Sequence, residues 1–473
     1  MRISALPLLL FGLLPAVPDP IPPPRPAGPV SPAVVAATAA ADAATLLPEI
    51  ARRTRYLDAR TLARGDDAAA DFAVLALHVN SLSREVEIVP PRKVTPWLWA
   101  VCIDDYRWDS TVFGALREAN SYYSIPVLTT DENGKQVADH VPNTAIPGLA
   151  QLVAATGSQT PLVRADQFFY LTAAQVDRAG FGYYDFLGLK SRVDAEKLAT
   201  LDRKKAEDAF REHAAIIPQS GVGTNNRQIF RYRTVAGAWW ETRDAARNDR
   251  AANAVANLDR QFKHAAEEIV FTLPNGLPGF YLSDAAGKQV DAVPDTIAFD
   301  HKAPGNDKRI HPSYSCVGCH VDGGLIPFSD YARRVYNKDT GIRLATLAVD
   351  PAVAKRLQSV YLGPLQAGYK EDQGKFAEAI LDASGIKPAD LSAGYRRVWH
   401  DYIDRPVTPA AAAFELGLTV EDMRDRFRTY ARTKGLLDPV LAGLVVDDGP
   451  PVRREYWEER FPVAWLVVQG AAP

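Results

Sequence analysis

Cysteine is almost absent from the 473-residue chain: there are three, and two of them, Cys316 and Cys319, lie three positions apart. So few thiols exclude a disulfide framework. Methionine is scarcer still, with Met423 the only one after Met1. A run of about 20 apolar residues, the length of a bilayer-spanning helix, is also missing. A basic surplus is missing as well: Lys+Arg 54 against Asp+Glu 57 leaves a formal net charge of -3. A nucleic-acid binder needs an excess of positive charge on one face, so that class is set aside. No repeat of fixed period occurs, which argues against a solenoid. With 47% hydrophobic and 23% charged residues the composition is that of a globular chain.

At the N-terminus Arg2 precedes a short apolar run, residues 8–14. That is the form of a secretory signal and too short to span comfortably. Residues 1–18 are read as a signal peptide, which places the protein in the periplasm or cell envelope; retention as an N-terminal anchor stays open. Residues 15–32 are proline-rich, with Pro22-Pro23-Pro24 at the centre, and read as extended linker. The alanine-rich stretch 33–44 reads as helix or more linker. The expectation is a Pro/Ala-rich linker over 19–45, an N-terminal α+β domain over 46–247, and a mainly helical domain over 248–473.

The fold class expected is α+β, predominantly helical with small antiparallel β-hairpin elements. Phe72, Leu75, Val79 and Leu82 recur at amphipathic-helix spacing. Residues 97–103 and 229–235 have strand texture, and Trp239-Trp240 belongs to a neighbour of the second. Helical texture covers 146–156, 172–180, 194–217 and 248–266. The segment 268–273, the turn Pro274-Asn275-Gly276 and the return 279–284 form a hairpin. Beyond residue 320 the chain is helical to about Lys434, interrupted near Pro364, Pro388 and Pro409.

Chemistry concentrates at Cys316-Val317-Gly318-Cys319-His320. This C-x-x-C-H spacing is that of covalent haem attachment. Two thiols three apart can add to the two vinyl groups on one porphyrin edge, and the adjacent imidazole then falls beneath the iron as proximal ligand. Gly318 would keep a side chain from crowding the ring. A thioredoxin-type dithiol needs a βαβ context that is missing here. A zinc site needs two further ligands, for which His301 and His311 are the nearby candidates.

For the second axial position the candidates are His78, His140, His213, His264, His301, His311, His400 and Met423. His264 is singled out because it ends the expected helix 248–266 ahead of the hairpin that leads to the motif. Met423 reads more readily as a core residue beside Phe427 than as a ligand, on a helix capped by Thr419. Five-coordinate iron remains open. Residues 410–428 resemble a helix-turn-helix, but an exported acidic chain makes a packed helical hairpin the better reading. Cys102, in its apolar run, reads as a buried small hydrophobe.

The chain resembles a family of exported bacterial cytochrome c-domain proteins of a kind typical of planctomycetes. The resemblance is carried by Asp104-Asp105-Tyr106-Arg107-Trp108-Asp109, Gly182-Tyr183-Tyr184-Asp185-Phe186-Leu187-Gly188, Asn225-Asn226-Arg227-Gln228-Ile229, Phe262-Lys263-His264, residues 268–277 and Ser315-Cys316-Val317-Gly318-Cys319-His320. After the histidine the related sequences have Asp-Gly-Gly-Glu, where this chain has Ala265-Ala266-Glu267. The resemblance implies one covalently bound haem c in the C-terminal half and a location outside the cytoplasm. The expectation is a mono-haem protein that passes single electrons to a redox partner, or a peroxidase-like haem enzyme with an open distal site, or a haem sensor.

Overall fold

The computed structural model describes residues 29–471 except 63–66, 131–133, 177–179, 210–211, 220–222, 224, 246, 248–252, 255–256, 259–261, 294–297, 302, 304–307, 321–323, 338–349 and 448. Helix accounts for 48% and strand for 19% of the described residues, so helix outweighs strand in a mixed fold. Strands β1 (Thr54–Asp58), β2 (Arg92–Thr95) and β3 (Leu98–Cys102) join β6 (Leu162–Arg164) in the order β2-β3-β1-β6. Within that sheet β1 pairs antiparallel with β3 and parallel with β6. The pairs β4 (Ser124–Thr130) with β5 (Gln136–Pro142), and β7 (Gln175–Val176) with β8 (Phe181–Gly182), form separate hairpins.

The second sheet is larger than the hairpins expected. It is a five-stranded antiparallel meander of β9 (Glu212–Ile217), β10 (Arg227–Arg233), β11 (Ala238–Asp244), β12 (Ala266–Thr272) and β13 (Pro278–Asp284), each next to its sequence neighbour. Alternation assigns its two faces. Arg227, Ile229, Trp240, Thr242, Glu268, Val270 and Leu282 share one face. Trp239, Glu241, Ile269 and Phe271 share the other. Helices Arg192–Leu198 and Arg203–Asp208 cover the second face, where Arg192 and Arg203 both pair with the fully buried Glu241. The long helix Leu365–Ser384 crosses the first. Its buried Asp372 accepts from Arg231 at 2.7 and 2.9 Å and from Trp240 Nε1 at 2.9 Å.

Several expectations are corrected. The division at residue 247 runs through this sheet, since β11 and β12 on its two sides are hydrogen-bonded neighbours. Residues 212–217 are strand β9 rather than the end of a helix, because their period is two once Ile216 and Ala214 pack beside Gln228 and Phe230. At 172–180 the helix is Ala165–Thr172, which ends where helix was expected to begin. The helix foreseen over 248–266 falls largely outside the described residues, and its end is instead β12, beginning at Ala266. The linker over 19–45 is helix from Pro32 to Thr45: Ser31 caps it, Pro32 occupies its first turn, and Val35, Ala36, Ala39 and Ala43 form one buried face.

Two main cores result. One runs from Leu57 to Tyr402 and includes Cys316 and Val317. The other joins the Pro32–Thr45 helix to Leu416, Met423, Phe427 and Trp457 near the C-terminus. Pro409–Leu416 and Val420–Lys434 form the helical hairpin expected, with Thr419 capping the second helix. Among the described residues no helix is long and apolar enough to cross a membrane.

Candidate functional site

The C-x-x-C-H segment forms a short helix, Tyr314–His320. Ser313 leads into it with φ 62, a left-handed conformation for a residue with a side chain. It is held there from the neighbouring helix, Pro388–Ile403. The Ser313 hydroxyl is 3.1 Å from Tyr395 Oη, Ser392 Oγ donates to the Gly318 carbonyl at 2.8 Å, and Tyr314 stacks on Trp399 at 4.4 Å between ring centroids. Arg396 donates to Asp300 at 2.9 and 3.3 Å and lies 3.6 Å from Cys319 Sγ. In this packing a Cβ at Gly318 would come within 2.6 Å of the Arg396 guanidinium, so the glycine makes room for Arg396.

One turn of helix puts Cys316 and Cys319 on a common face. Neither is in a disulfide. Cys316 is buried and Cys319 half-buried. Burial, with Glu268 and Cys319 close by, pushes the Cys316 thiol well above its ordinary pKa. Both cysteines and His320 open onto one cavity of about 310 Å³ between the motif helix and the first face of the meander. Its walls are mostly apolar, including Ile229, Trp240, Val270, Leu282, Leu325 and Phe328. That size and lining are those of a small-ligand or cofactor pocket.

The His320 ring is oriented from both sides. Nδ1 lies 3.1 Å from the Gly324 carbonyl. A carbonyl only accepts, so Nδ1 carries a proton toward it, and Nε2 is the ring nitrogen left for a second partner, the orientation a metal-binding imidazole needs. Nε2 stands 3.5 Å from Glu268 Oε1. Burial would raise the Glu268 carboxyl, but His320 and Arg227 hold it below its usual value. Arg227, on β10, reaches Asp244 at 2.5 Å and Glu268 at 3.6 Å.

A porphyrin held here would find two thiols on one helical face, an imidazole held at Nδ1 by a carbonyl, and an apolar wall, and these residues fit it. The eight candidates for a second axial ligand do not join them: none is among the described residues that line the cavity. His264 is not at a helix end but just before β12, with Nδ1 3.3 Å from the Phe262 carbonyl and Nε2 3.1 Å from Glu267. Met423 is buried in the other core beside Phe427. His78 is fully buried between Tyr395 and Thr172, and His400 is half-buried and paired with Asp404. His301 packs against Phe299, and His213 lies on β9. Among the described residues no group of three or more His, Cys, Asp or Glu is arranged to hold a metal ion by itself. Cys102 is half-buried, less enclosed than expected.

Glu268, Arg227, Asp244 and Arg396 were not foreseen as site residues. A signal existed for one: in the strand Ala266–Thr272 Glu268 alternates with the apolar Ala266 and Val270 and so puts a charge on their face. Compared with protein-family models, with curated proteins and with solved structures, the chain matches none.

Proposed function

We propose that the chain is an exported c-type cytochrome-like protein that holds one haem c through Cys316, Cys319 and His320 and passes single electrons. The observation that carries this reading is that all three residues of a C-x-x-C-H motif line one apolar-walled cavity, with the proximal imidazole already oriented. Each thiol would add its S–H across one vinyl C=C, sulfur to one carbon and hydrogen to the other, with no net oxidation. His320 would offer Nε2 to the iron while the Gly324 carbonyl fixes its tautomer. Glu268 would have to turn from Nε2 to admit the metal. Haem c, when bound, supplies a one-electron centre whose potential follows from axial ligation and burial.

A second reading is favoured by the absence of any second His or Met from the described residues of the cavity lining. An iron with no protein ligand on its other side binds small molecules, which suits the peroxidase-like enzyme or the sensor better than a pure carrier.

Expression in a host competent in cytochrome maturation tests the proposal. A covalently coloured protein, heavier than the bare polypeptide by one haem, is expected. Cys316→Ala and Cys319→Ala should each lose one thioether, and the double variant all covalent pigment. A colourless protein of polypeptide mass would end the haem reading. Cyanide or carbon monoxide then separates the two forms: a spectrum indifferent to both supports electron transfer, and a ligand-induced change supports the open site.

A further inference from the structure

Three adjacent strands lay a charged row beside His320. Asp244 and Arg227 face each other directly in the β10–β11 register. Arg227 continues to Glu268 on β12, and Glu268 Oε1 stands 3.5 Å from the metal-binding nitrogen. All three line the cavity, and among the described residues Arg227 is the only Arg or Lys that does. Arg227 and Asp244 are buried, at 7% and 8% exposure. Charges so placed are screened far less than surface charges. With both carboxylates ionised the row carries one net negative charge.

We propose that this row sets the redox balance of the centre, Glu268 favouring the oxidised and more positive state and Arg227 opposing it. The inference rests on the haem reading above. One electron taken from a donor, such as a small mediator dye, lowers the charge of the centre by one unit. A negative row disfavours that change, and a positive group favours it. The strands fix the order of the row, so the residue nearest His320 has the largest effect and Asp244, beyond Arg227, a smaller one. A merely structural role for the same ion pairs would not give opposite signs to Glu268 and Arg227.

The test is a mediated redox titration of the matured, coloured protein, with pigment content measured on the same samples. Glu268→Gln should shift the oxidised-to-reduced ratio at fixed poise about tenfold toward reduced, which is a midpoint rise of about 59 mV for one electron. Arg227→Gln should shift it in the opposite direction, and Asp244→Asn in the same direction as Glu268→Gln but less. Equal signs for Glu268→Gln and Arg227→Gln, or no shift in either, would overturn the inference. If either of these variants fails to mature, Asp244→Asn decides alone: a rise supports the row, and no change or a fall sinks it. A wild-type protein without pigment overturns the haem reading and this inference with it, and pigment content tells the two failures apart.

Discussion

His78 Nδ1 lies 2.7 Å from the Tyr395 hydroxyl, and neither ring is exposed. The other ring nitrogen is 2.7 Å from Thr172 Oγ1, and Tyr395 is in turn 3.1 Å from Ser313 at the entrance to the motif helix. A buried polar chain thus ties the helix Ala68–Ser81 to the residue that leads into Cys316. Satisfied networks of this kind fix geometry because each member, left unpaired, would be costly.

That burial pushes the His78 pKa down to about 3 from 6.5. In the unfolded chain the ring takes up a proton below about 6.5, while the folded ring stays neutral to about 3. The unfolded state therefore binds more protons in that window, and stability falls with falling pH by about 1.4 kcal/mol per unit from this group. His78→Gln removes the titration along with some of the hydrogen bonding. Urea unfolding followed between pH 7 and pH 4 should show the variant less stable at pH 7 and the difference shrinking toward pH 4. A constant difference would contradict the burial of this histidine.

Glu415 anchors the second core in a similar way but with charge. Arg164, at 1% exposure, reaches it at 2.6 Å, Arg454 at 2.7 Å and Trp457 Nε1 at 2.6 Å. Burial alone would raise its carboxyl, but the two guanidinium groups bring it down to about 2. Its contribution is present above its unfolded value of 4.5 and is lost as pH falls toward 2. Glu415→Gln leaves Arg454 buried without its partner and should cost about 3–5 kcal/mol at pH 7. Denaturant titrations at pH 7 and pH 3 should show a large gap at the first and a smaller one at the second.

What the sequence disclosed follows from how local each signal is. Strands β10 to β13 and the turn Pro274-Asn275-Gly276 were legible because β-branched and aromatic residues alternate around strong turn residues. So were the cysteines and His320, whose chemistry lies in their spacing. Strand β9 was hidden because Ala214 and Ala215 carry little strand preference, and only pairing with β10 decides it. The helix Pro32–Thr45 was half hidden because alanine suits helix and linker alike until Val35 and Ala36 are buried in the second core, beside the helix Leu149–Thr156. The Asp244–Arg227–Glu268 row lay beyond reach, since it exists only in the register of three strands.

Gly318 offers a test of how the motif helix is packed. A Cβ at this position would sit 2.6–2.7 Å from the Arg396 guanidinium, which is itself held by Asp300. Gly318→Ala must displace that side chain and should cost about 1–3 kcal/mol. Because the obstruction is one side chain, Arg396→Met should absorb much of the effect. A double-mutant cycle on thermal or denaturant stability should give a coupling of at least about 0.5 kcal/mol. Additive effects would mean that Arg396 is not what the glycine accommodates.

The N-terminal helix is locked in place by backbone proximity, which a matched pair of glycines can separate from conformational strain. Gly417 has φ +71, and a Cβ there would fall 2.2 Å from Ser31 Cα; Gly385 has nearly the same φ, +72, with nothing within 4 Å. Arg60 Nη1 closes the same corner by donating to the Val30 carbonyl at 2.6 Å and to the Glu415 carbonyl at 3.3 Å. Gly385→Ala should therefore cost only the left-handed penalty, about 1 kcal/mol. Gly417→Ala adds a clash between two backbones that no rotamer relieves, and should cost about 2–5 kcal/mol in total. It should also expose the Pro32–Thr45 helix to limited proteolysis, which Gly385→Ala should not. Equal losses of stability in the two variants, with equal protection of that helix, would show that residues 30–45 do not depend on the close approach at Gly417.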